Sequence, residues 1–91
     1  MRDYEKLVDK VRGTILGGAV GDALGWPIEF LSLRQIRAHH GNGGVTGFLP
    51  GPAPGGPQQI TDDTQMTLFT AEGLLRCPPG IDPVPVLRRA Y

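Results

Sequence analysis

A dense run of turn-forming residues from Gly41 to Pro57 constrains this 91-residue chain most, because glycine and proline there forbid a continuous helix or a regular strand through its middle. Many of the chain's 14 glycines and 9 prolines fall in this run, so they describe one loop between two globular flanks and not a disordered polymer. Val45 to Leu49 has some strand character, but it is short, bounded by glycine and proline, and has no partner strand in view. The flanks therefore decide the fold class, and their periodicity is helical throughout. Residues 1–91 read as at most one domain, in which a chain this short buries only a modest fraction of its surface.

Leu7, Val11, Ile15 and Ala19 recur every four residues, with Val8, Leu16, Val20 and Ala23 beside them, which predicts a long helix from about Asp3 to Leu24. Gly13, Gly17, Gly21 and Gly25 form a ladder on this helix. Each costs about 1 kcal/mol against alanine, so the ladder predicts something held close to the bare backbone, ordinarily another helix. Gly25-Trp26-Pro27 ends the element, since proline disfavours helical geometry in the residue before it. Ser32 then predicts an N-cap, with Gln35 at the capping-box position, for a short helix that Gly41 stops. Helical pattern resumes after Ile60 with Met66, Leu68, Phe69, Ala71, Leu74 and Leu75, and runs to about Arg76. Asp82 caps a last segment that has Pro83 at its first position. That segment stops at Tyr91 without a terminating signal, which suggests a truncated reading.

Nine basic and nine acidic side chains cancel and are scattered, so nothing marks a surface for nucleic acid or anionic lipid. The apolar run from Gly13 to Gly21 falls short of the ~20 residues of a membrane span, and Asp22 interrupts it. Cys77 has no partner for a disulfide, and no secretory leader is visible, so the expected compartment is a reducing cytoplasm. Gly17 to Gly21 lacks the lysine and Ser/Thr of a phosphate-binding loop.

Chemistry concentrates at Thr61-Asp62-Asp63-Thr64-Gln65, where two adjacent carboxylates stand beside two hydroxyls at a helix start. Capping accounts for one aspartate. The second is less explained, because adjacent like charges repel unless solvent or a cation compensates them. Oxygen donors of this kind suit Mg²⁺ or Mn²⁺, whereas zinc recruits histidine or cysteine. Both readings stand on these residues alone. His39 and His40 do not share a helical face and read as a solvated helix end. Asp22, set among glycines and apolar residues, requires a specific partner. Glu29, between Ile28 and Phe30, is either a surface glutamate or a residue that desolvation would fit for proton transfer.

The run from Arg12 to Phe30, RGTILGGAVGDALGWPIEF, resembles the N-terminal signature of the ADP-ribosylglycohydrolase family, and Ile60 to Leu68, ITDDTQMTL, resembles that family's Thr-Asp-Asp metal motif. The resemblance spans about Arg12 to Arg76. It implies an all-α, orthogonal multi-helix domain of which this chain is the N-terminal part, with a two-metal magnesium site that removes ADP-ribose from a modified protein side chain or a related small molecule. It implies Thr61, Asp62 and Asp63 as metal ligands and catalytic duties for Glu29, Asp62 and Asp63, with Asp22 in support. A later Asp-x-Asp-Thr motif that the family uses to complete the site has no counterpart in these 91 residues. On its own the chain is therefore expected to bind metal weakly and to have little activity. The alternative is a non-catalytic, ADP-ribose-binding or crystallin-like relative.

Overall fold

The computed structural model describes every residue except Met1, Pro52 and Pro54. Helix α1 runs from Asp3–Gly25, followed by a single 3-10 turn at Trp26–Ile28; α2 is Leu33–His40, α3 is Asp62–Arg76 and α4 is Pro83–Ala90. No strand occurs among the described residues, so the all-α expectation holds and the strand character of Val45 to Leu49 is not realised. Instead the loop folds back, and Val45 and Thr46 face Leu24 and Ile28 across a cleft at the end of α1.

Local chemistry sets the element boundaries. The Ser32 hydroxyl accepts the Gln35 amide at 3.2 Å while the Gln35 side chain accepts the Ser32 amide at 2.9 Å, the reciprocal pair of a capping box. Gly41 closes α2 at φ 78°, a conformation that a side chain disfavours, and its amide reaches the Arg37 carbonyl at 2.8 Å. The Asp82 carboxylate accepts the Val84 amide at 3.1 Å, and Pro83 occupies the first turn of α4, where it forfeits no helical bond.

Packing is sparse. The α3–α4 contact closes on Gly73, which is buried; a Cβ there would lie 3.1 Å from Leu87 Cδ2 and 3.1 Å from Ala90 Cβ, tighter than an ordinary van der Waals contact, so a side chain would press on both. Ala23, 5% exposed, is the single buried hydrophobic side chain among those described, whereas Phe30 is 91% and Leu75 87% exposed. The glycine ladder of α1 is open: a Cβ at Gly13, Gly17, Gly21 or Gly25 would meet nothing within 4 Å, so among the described residues no other helix lies against that stripe. Among the described residues no helix is long and apolar enough to cross a membrane.

Candidate metal-binding cleft

The last turn of α1 and the first turn of α3 meet at one carboxylate. Asp22 Oδ1 accepts the Thr61 hydroxyl at 2.7 Å, and Oδ2 accepts both the Thr61 amide at 2.8 Å and the Thr64 hydroxyl at 2.5 Å. This supplies the specific partners that an acid among apolar neighbours requires. The Thr64 hydroxyl first, and the Thr61 amide next, hold the Asp22 carboxyl below the usual carboxylate range, against a smaller opposing effect of desolvation. The positive end of the α3 dipole favours an anion in the same place.

Thr61 has a second duty. Its hydroxyl oxygen accepts the Asp63 amide at 3.2 Å and so caps α3, while its proton goes to Asp22. A hydroxyl oxygen has two lone pairs, so one is left for a further partner. Asp62 and Asp63 follow in the first turn; both are exposed, and among the described residues neither carboxylate enters a hydrogen bond or an ion pair. Capping is thus done by Thr61, and neither aspartate side chain is spent on it.

Around this junction lies an open cleft of about 360 Å³ lined by Gly18, Gly21, Asp22, Gly25, Trp26, Glu29 and Asp63. The 3-10 turn that Pro27 helps impose carries Glu29 round to the cleft that Asp63 enters from α3. Glu29 is exposed, which removes the desolvation considered for it from sequence. Asp62 is not part of this lining. Gly18 and the ladder glycines Gly21 and Gly25 contribute bare backbone to the wall, so this end of the ladder borders the open cleft.

The donor chemistry fits a hard divalent cation. Thr61, Asp62 and Asp63 offer oxygens only, and Mg²⁺ is commonly held by one or two carboxylates with water completing its octahedron. The fit is partial, because no three His, Cys, Asp or Glu side chains converge on one point among the described residues. Sequence reasoning singled out Asp22 but not its partners, and assigned no role to Thr64. The signal was the spacing of Thr61 and Thr64, three apart and therefore on one face of a helical turn.

A profile of the ADP-ribosylglycohydrolase family matches residues 3–91. The chain is 46% identical over 68 residues to an uncharacterized protein of Archaeoglobus fulgidus, covering 74% of this chain and 22% of the relative. It is 39% identical over 72 residues to the ADP-ribosyl-[dinitrogen reductase] glycohydrolase of Rhodospirillum rubrum, covering 72% of this chain and 22% of that protein. It is 37% identical over 68 residues to an ADP-ribosylarginine hydrolase of Serratia proteamaculans, covering 75% of this chain and 17% of that protein. The matched segment thus spans only 17% to 24% of the length of such relatives. No solved structure matches.

Proposed function

The chain belongs to the ADP-ribosylglycohydrolase family, and from that premise we propose that it supplies the Thr61-Asp62-Asp63 part of the site in a magnesium-dependent hydrolase that removes ADP-ribose from a modified protein side chain. One observation carries the reading: Asp63 and Glu29, from elements 34 residues apart in sequence (63 minus 29), line the same cleft, with the Asp62 and Asp63 carboxylates left unpaired. The printed names of two relatives, one acting on ADP-ribosylated dinitrogen reductase and one on ADP-ribosylarginine, support a protein-linked substrate.

Each residue has a distinct part. Thr61 and the two aspartates would hold Mg²⁺, or Mn²⁺ in its place, through oxygen. Bound there, the cation would supply positive charge to orient ribose hydroxyls and ease departure of the leaving group. Glu29, across the cleft and open to solvent, would take or return a proton at the glycosidic bond. Trp26 offers an apolar wall beside it. The segment alone has little activity, since its three donors leave most of a cation's coordination to water.

In a protein of the relatives' length that carries this segment, release of ADP-ribose from an ADP-ribosylated protein should require Mg²⁺. Loss of mere outer-shell partners costs roughly 10- to 100-fold, so Asp62→Asn or Asp63→Asn, removing a direct ligand, should lower turnover by roughly 100-fold or more while helix content stays unchanged. Turnover that persists in both variants would contradict the assignment.

A further inference from the structure

Resting on the cation reading above, the geometry points to Thr64 as a positioning residue: acting through Asp22, which lines the cleft with Asp63, its hydroxyl fixes the bearing of the Thr61 oxygen and of the start of α3. Thr64 is 6% exposed, the buried polar residue among those described. Thr14, Thr67 and Thr70, deeper in their helices, turn their hydroxyls back to the carbonyls of Lys10, Asp63 and Met66, whereas Thr64 lies in the first turn of α3, where the residue four before it is outside the helix. Thr64 instead reaches across to α1 and donates to Asp22 Oδ2. It is not needed as a cap, because Thr61 fills that role.

The consequence follows from the donor count. Three donors fix the plane of the Asp22 carboxylate, two of them on Oδ2, so that Oδ1 comes to lie 2.7 Å from the Thr61 hydroxyl and takes its proton. With its proton committed, Thr61 keeps one lone pair on the Asp63 amide and has the other left for a further partner. Removing the Thr64 donor leaves the carboxylate held by Thr61 alone, one donor on each oxygen, so its tie to the body of α3 is lost and the Thr61 oxygen and the backbone of Asp63 are no longer braced against α1.

Mn²⁺ binding to the full, ¹⁵N-labelled chain tests this through paramagnetic broadening of the amide signals of residues 61–63. Thr64→Val keeps the volume and removes the hydroxyl; Thr64→Ser does the reverse. If Thr64 positions the site, Val should raise the Mn²⁺ concentration for half-broadening about tenfold, as loss of an outer-shell partner does, while Ser stays close to wild type. If Thr64 merely fills space, Val preserves the response and Ser impairs it, which overturns the inference. Absence of localised broadening in the unaltered chain overturns the cation reading and the inference with it, whereas broadening that Val leaves unchanged overturns the inference alone. Should Thr64→Val lose its helical circular dichroism, amide exchange at Thr61 in the unaltered chain decides, because that amide precedes α3 and has no helical acceptor. Slow exchange there, with Thr64→Ser responding like wild type, supports the positioning role, and fast exchange overturns it.

Discussion

Asp22 bonds three donors with its two oxygens, and only the ionised form accepts all of them. Its folded carboxyl is held below the ordinary range, led by the Thr64 hydroxyl. The stabilisation it contributes is therefore complete above the unfolded carboxylate value of about 3.9 and drains away as pH falls through the lower, folded value. A pH titration of the Thr61 amide resonance should show this junction intact at about pH 6 and opening on the acid side of about pH 4. A midpoint on the alkaline side of that value would contradict the arrangement, and Asp22→Asn should abolish the transition. That Asp22 needed a partner was legible from its apolar neighbours. The partner's identity was not, because Thr61 lies 39 positions further along the chain, beyond the glycine and proline loop.

Helix boundaries were legible wherever the stop and start signals are local. Ser32 with Gln35, and Asp82 with Pro83, act within one turn of themselves, and the structure places each where the residues predict. The glycine ladder left its neighbour unidentified, because a missing side chain signals only that space is required, and not what fills it. Gly13 and Gly73 separate the two uses of glycine. Gly13→Ala meets no neighbour, so it should stabilise α1 by about 1 kcal/mol through helix propensity. Gly73→Val drives a branched side chain into Leu87 and Ala90 and should cost about 1 to 3 kcal/mol by overpacking the α3–α4 contact. Urea titration of the helical signal checks both signs, and equal shifts in one direction would refute the distinction.

At the scale of the molecule, the radius of gyration is 17.3 Å, against about 12 Å for a compact domain of 91 residues. The apolar stripes of α1 and α3 face an open groove of about 500 Å³ lined by Val11, Ile15, Met66 and Leu74 among others, in place of a closed core. Small-angle scattering should return a radius near the larger figure, and a dye that fluoresces on exposed apolar surface should respond in native buffer; a radius near 12 Å with a silent dye would refute the open arrangement. Length hinted at shallow burial, but the chain's expanse depends on helix directions that no local pattern records. The Asp22 tie has one more consequence, in polymer terms. It fastens the two ends of the loop-bearing stretch independently of the path between them, and doubling a flexible connector costs only about 0.6 kcal/mol in closure entropy. Related chains can therefore lengthen or shorten the stretch from Gly41 to Pro57 freely, so that segment is free to diverge in sequence and size while the helix ends it joins stay in register.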